Sequence, residues 1–413
     1  MTLPELIRIR QRWPTEHVAN VAAAVRDELA GCGVRVRKGA SIAIAVGSRG
    51  IANLVTIVRE TVDWVRSQGG EPFIVPAMGS HGGAIAEGQR QVLEQYGVTE
   101  TAVGAPIRSS MAVVELDRGD LEVPVYFDAE ASRSDGTIVI NRIKPHTSFH
   151  GRYESGLMKM IAIGLGKHAQ ALAIHRFGLE GLRELTPRVA RQVLGQGMIL
   201  LGLGVVENAC DETLKVRALP AAAIPDEEPG LLELARANMP RLPVDQLDIL
   251  VVDEMGKNIS GLGLDPNVVG RLGIRGQPEP IRPRIALIVV RELTDESRGN
   301  AVGMGLADIV TRRLFAKIDL AATYENALTS TFTERAKVPM IAETDRQAME
   351  FALQALRGTA PAGLRIVRIR NTLHLEEMLV SPAVLDSLTG RSGVEVIGPA
   401  GPWFDTQDWM RPI

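Results

Sequence analysis

The feature that acts first on the fold is a rhythm of strand, glycine turn and helix over residues 41–140. Ile42-Ala-Ile-Ala-Val46 is an unbroken apolar run of strand length, the pattern of a strand covered on both faces. Gly47-Ser-Arg-Gly50 follows as a turn, and residues 51–66 are apolar at helical spacing. Glu71-Pro-Phe-Ile-Val75 is the next strand, then Ala77-Met-Gly-Ser-His-Gly-Gly83, then a helix expected over about 84–96. Gly136-Thr-Ile-Val-Ile140 is a further strand. A chain that leaves each strand through a turn into a helix must cross the sheet before it pairs again. The strands therefore run parallel. In such sheets ligands collect beyond the carboxyl ends of the strands. Both glycine loops and the segment after residue 140 leave that same end, so they can share one rim.

At 413 residues the chain exceeds one ordinary core, and two domains are expected. A second unit begins near Pro243, where Leu247-Asp-Ile-Leu-Val-Val-Asp253 is a strand, followed by a glycine-rich loop and Ile285–Val290. A helix is expected around 305–315 and a strand over 364–369. The tail from Gly393, with Val394-Glu-Val-Ile397, is expected to return to the first domain. The expectation is an α/β chain of two α/β domains with mainly parallel, Rossmann-like sheets and an active-site cleft between them. Residues 1–243, completed by 393–413, are expected to form the first domain, and 244–392 the second.

Composition narrows the partners. The net charge of −3 and an aromatic content of 4% leave no basic footprint and few stacking surfaces for nucleic acid, and no attraction to an anionic membrane. Two cysteines, Cys32 and Cys210, without metal-ligand spacing exclude a disulfide framework and fit a cytoplasmic location. The N-terminal residues have no apolar signal core, and no run reaches membrane-spanning length.

Chemistry concentrates in one window. Of seven histidines, four (146, 150, 168 and 175) lie between 144 and 175, and three of the eight lysines (144, 159 and 167) lie there too. His146, His150 and Glu154 are four residues apart and would hold zinc on a helix. Pro145, Gly151 and Gly156 oppose a regular helix there. Lys159 stands in the apolar stretch Gly156-Leu-Met-Lys-Met-Ile-Ala-Ile163. Such a lysine either snorkels or, desolvated, is a nucleophile or a point of covalent attachment. Each glycine loop adds a reactive side chain. Arg49 can clamp a carboxylate, and His81 is a natural general base.

These residues resemble the nickel-pincer-nucleotide lactate racemase family. The Ser48-Arg49 pair, the Gly79-Ser80-His81 loop, Pro145-His146, Lys159 and, sixteen residues on, His175 follow its motifs in order. The resemblance implies a racemase or epimerase that inverts C2 of a 2-hydroxy acid by reversible hydride transfer. Its cofactor is a nickel-pincer nucleotide (pyridinium-3,5-bisthiocarboxylic acid mononucleotide nickel) joined covalently to Lys159. His81 and His146 are the implied catalytic bases. Ser48, Gly79 and Ser80 are implied cofactor contacts, His175 the implied nickel ligand and Arg49 the implied carboxylate clamp. Lys257 and Asn258, in the loop after strand 247–253, are expected to touch substrate from the second domain. Dedicated cofactor-maturation proteins are implied as partners.

Two departures point to a substrate other than lactate. His146 and Lys159 lie further apart than the family's pair, and Val46 or Gly47 stands where the lactate racemases carry an aspartate. The competing readings are a zinc hydrolase built on His146, His150 and Glu154, and a non-catalytic nucleotide-binding protein.

Overall fold

The computed structural model describes residues 3–47, 50–280, 282–356 and 360–413. The chain forms two compact units, one of residues 14–239 and the other of 1–13 with 240–413. The second is therefore discontinuous. It opens with strand β1, Ile7–Gln11, whose Ile-Arg alternation leaves Ile9 buried in the core and Arg10 in solvent.

The 14–239 unit contains β2 (Ser41–Val46), β3 (Glu71–Pro76), β4 (Val113–Leu116), β5 (Val125–Asp128), β6 (Gly136–Arg142), β7 (Ile199–Glu207) and β8 (Thr213–Pro220). Five of them form a sheet in the order β3-β2-β6-β7-β8, parallel except for the antiparallel β8. β4 and β5 make a separate antiparallel hairpin. The helix Leu54–Ser67 buries Leu54, Ile57, Val58, Thr61, Val62 and Val65, a stripe at helical spacing that packs on the sheet. Fully burying each such aliphatic side chain is worth roughly 1.5–3 kcal/mol. Ile42, Ala43, Ile44, Ala45 and Val46 are all buried, as an unbroken apolar strand requires.

In the other unit, β1 joins β9 (Gln246–Met255), β10 (Arg284–Leu293), β11 (Ile309–Thr311), β12 (Met340–Ala342), β13 (Ile366–Ile369), β14 (Glu377–Val380) and β15 (Val394–Pro399). The sheet order is β12-β11-β10-β9-β13-β14-β1-β15. β12 through β13 run parallel, and β14, β1 and β15 continue antiparallel. Both sheets are dominated by parallel strands, as the α/β reading requires.

Two expectations are corrected. The tail does not complete the first domain: β15 pairs with β1 in the eight-stranded sheet, because β1 offers it a free edge there. The helix expected over 305–315 is instead a short 3-10 turn at 304–306, strand β11 and a helix from Arg312 to Ala316. Buried Ile309 and Val310 sit in a slot between β10 and β12, so sheet pairing overrides helical spacing. Among the described residues no helix is long and apolar enough to cross a membrane.

Candidate active site

β2 passes on to β3 on one side, and β6 pairs on its other side, which makes the carboxyl end between β2 and β6 a topological switch point. Three loops leave there or beside it. The loop after β2 begins at Gly47, where a Cβ would come 2.8 Å from the Met160 methyl. Ser48 and Arg49, assigned to cofactor and carboxylate, lie outside the described residues.

The loop after β3 carries Gly79, Ser80 and His81. Its backbone has positive φ at Gly79 (60°), Gly82 (65°), Gly83 (67°) and Ala84 (54°). The glycines are needed there: at Gly82 a Cβ would also fall 2.6 Å from the Gln89 nitrogen. The Gly79 N–H donates to Gly164 O at 3.3 Å, which ties this loop to the segment after Lys159. Ser80 and His81 are exposed at the rim.

The loop after β6 is closed at its base by Lys144 and Ser155, whose backbones exchange hydrogen bonds of 2.9 and 3.2 Å. Inside it Glu154, 1% exposed, gathers the turn. Its carboxylate accepts the His146 N–H at 2.6 Å, the Gly151 N–H at 3.1 Å, His150 Nδ1 at 3.3 Å and an Arg236 guanidinium N–H. Burial alone would raise its pKa, but these donors and the His150 charge outweigh it and hold the carboxyl below its ordinary range.

That loop aims His146. Its ring packs on Phe149 with centroids 4.4 Å apart. Nδ1 accepts the Ser148 N–H at 3.0 Å. Nε2 lies 2.6 Å from Lys159 Nζ. The two groups share one hydrogen bond, with its donor set by the tautomer of the ring. Lys159 sits where the helical segment Leu157–Lys159 passes into a π-helical turn, Met160–Gly164. Such turns recur at functional sites. His175 closes the next helix, Lys167–His175, and is partly buried. Burial lowers its pKa, and so does Lys159, whose charge opposes a second proton nearby whenever the lysine holds one.

Two buried acids support this frame. Glu228 receives the N–H groups of Met158, at 2.8 Å, and of Leu157, at the start of the segment that carries Lys159. Burial pushes its carboxyl up to about 8 against those two hydrogen bonds. Its Oε1 lies where a Cβ on Gly156 would be only 2.1 Å away. Asp128 pairs with Lys167 at 2.8 Å, and both side chains are wholly buried. Burial lowers the Lys167 pKa, with Asp128 opposing.

The structure thus brings His146 and Lys159 into contact, with His175 close enough to feel the Lys159 charge, and ties Gly79 to the same segment. It does not assemble the zinc site. Among the described residues no group of three or more metal-ligating side chains forms, because Glu154 is spent on backbone and Arg236, and His146 turns to Lys159. Lys257 and Asn258 follow β9 in the other unit. Lys257 Nζ donates to Gly261 O at 2.8 Å and to Asn326 Oδ1, and Asn258 Oδ1 accepts the Thr294 hydroxyl at 2.7 Å. Glu228, Asp128, Lys167 and Gln89 carry no motif. Their only sequence signal is a charged or amide residue among apolar neighbours.

The donor set fits a lysine-tethered, imidazole-ligated soft metal. Lys159 stands beside the His146 imidazole, and burial biases His175 to the neutral state a metal needs.

No protein-family model matches the chain, and no curated protein matches it in sequence. Among solved structures, a Thermotoga maritima protein aligns over 65% of this chain and 69% of its own, at 13% identity and a TM-score of 0.43. The lactate racemase apoprotein from Thermoanaerobacterium thermosaccharolyticum aligns over 89% of this chain and 98% of its own, at 12% identity and a TM-score of 0.51. At that identity the likeness is one of architecture, and the chain is similar in fold to lactate racemase.

Proposed function

We propose that the chain is a racemase or epimerase that inverts C2 of a 2-hydroxy acid, using a nickel-pincer nucleotide tethered to Lys159. The observation that carries the reading is the 2.6 Å contact between Lys159 Nζ and His146 Nε2, with His175 within reach of the lysine's charge. Lys159 would hold the cofactor as an amide-type linkage, which removes the cost of a charge in an apolar stretch. His175 would ligate nickel. The Gly79-Ser80 turn would hold its polar groups through the Ser80 amide and hydroxyl, since the Gly79 N–H is taken by Gly164 O. When bound, the group supplies a reversible acceptor for the α-hydrogen as hydride.

The chain's own residues do the rest. His81 and His146 each take or return the hydroxyl proton, one for each enantiomer. Arg49 would grip the substrate carboxylate, and Lys257 and Asn258 would add contacts from the other unit. That unit would exclude water while the 2-keto acid is present. Maturation proteins supply the cofactor.

The test is intact mass and metal content of the chain co-produced with a cofactor-making system. A mass increment on Lys159 with nickel near one per chain is expected. An unmodified Lys159 without nickel, in cells where an established lactate racemase is loaded, refutes the proposal.

A further inference from the structure

The His81 loop holds a backbone that does not stand by itself. Four of its residues, from Gly79 to Ala84, have positive φ, and Ala84 does so with a side chain. The three glycines adopt such a conformation freely, but at Ala84 it persists only where surrounding contacts impose it. Within the loop the His81 N–H reaches Met78 O at 3.1 Å and the Ala84 N–H reaches Ser80 O at 3.1 Å. The outer face of the loop, at Ser80 and His81, is exposed.

Gln89 is beneath it, fully buried in the helix Ala86–Gln95. Its Nε2 donates to Gly79 O at 3.0 Å and to His81 O at 3.2 Å, so one amide holds the carbonyls that bracket Ser80 and His81. The orientation of that amide is itself imposed. Its Oε1 faces Lys167 Nζ at 3.4 Å, and an ammonium selects the oxygen over the NH2 group. Lys167 Nζ also donates to Pro76 O, the last residue of β3, and pairs with Asp128 Oδ2 at 2.8 Å. Asp128 is anchored in turn by the Glu130 and Ala131 N–H groups, at 2.8 and 2.9 Å. Lys167 reaches this place from a left-handed backbone, φ 55°. A chain that needed only to fill volume here would use an apolar side chain. A buried ion pair that turns an amide toward two loop carbonyls is instead a device for direction.

We propose that Gln89, oriented by the buried Asp128–Lys167 pair, is the positioning residue that fixes His81 at the rim. The inference rests on the reading of His81 as a catalytic base, but its test does not.

The experiment uses the full-length chain without cofactor, labelled at histidine, and the variant Gln89→Met, which keeps volume and removes both donors. Amide hydrogen exchange at His81 and Ala84 is expected to quicken about tenfold or more. The His81 ring carbons should lose order in 13C relaxation, a signature that a loss of global stability alone does not produce. Exchange in the helix Leu54–Ser67 should stay within about twofold. Unchanged His81 and Ala84 exchange with an unchanged ring overturns the proposal. If Gln89→Met does not fold, Gln89→Asn decides by the same readouts, since it keeps an amide too short to reach both carbonyls. His81→Ala in the loaded enzyme tests the catalytic reading separately. An inactive His81→Ala with an unmoved loop in Gln89→Met removes the positioning role alone, and a fully active His81→Ala removes the catalytic reading alone.

Discussion

Glu228 makes stability depend on pH across a range where few groups titrate. Its carboxyl is raised from 4.5 to about 8, so the folded chain keeps a proton that the unfolded chain releases. The sign follows. Its contribution is full below about pH 4.5 and is lost as pH rises through about 8. Integrated from pH 5 to pH 9, the loss is about 4 kcal/mol, or roughly 10 °C in melting temperature for a unit of this size. Glu228→Gln is the clean perturbation. It is neutral at every pH and keeps an oxygen for the Met158 N–H. Urea unfolding at a series of pH values gives the free energy of each protein. The variant should gain on the wild type by about 4 kcal/mol between pH 5 and pH 9. Parallel curves across that range would refute both the raised carboxyl and the burial that causes it.

Further predictions concern the same frame. Glu154→Gln should cost about 2–4 kcal/mol, because Arg236 and two backbone N–H groups lose a charged acceptor. The Glu154 contribution is present above about pH 4.5 and lost as pH falls through its lowered pKa, so the variant's acid limb should be flatter in thermal melts. The His175 ring should titrate below its ordinary range in an NMR pH series, and Lys159→Met should move its midpoint upward. Gly156→Ala should cost about 1–3 kcal/mol in denaturant titration, since its methyl displaces the Glu228 carboxyl from the segment bearing Lys159.

Much of this architecture was legible because burial on both faces writes itself as unbroken apolar runs. β2 and β9 are such runs, and the glycines after β2 and β3 mark where the chain turns. The clustering of Lys159 with His146 and His175 was legible as spacing within one segment. What escaped depends on partners far away in the chain. β1 is short and half-charged, and its pairing with β14 and β15 is invisible locally. The Ile309–Thr311 strand exists only because β10 and β12 flank it. Glu228 lies between two prolines on a helix whose buried face is set by a segment 70 residues earlier. The contact between His146 and Lys159 depends on a loop gathered by Glu154, which spacing suggested as a metal ligand and folding uses as a hub.

The place of β1 between β14 and β15 also sets a timetable. Arg10 and Glu377, paired across two neighbouring strands, are 367 residues apart in the chain. At the usual pace of synthesis of 5–20 residues per second, β1 waits roughly 20–70 s for its first neighbour. Residues 14–239 are contiguous and can complete their own sheet in that interval. A waiting strand is a hazard for pairing with other chains, and charge is the common defence. Arg8, Arg10 and Arg12 alternate with Ile7, Ile9 and Gln11, so one side of the waiting strand is all guanidinium. The same arginines later find Glu377 and Glu395. The residues that keep the early strand apart from other chains thus become the ion pairs that fasten it when the last strands arrive.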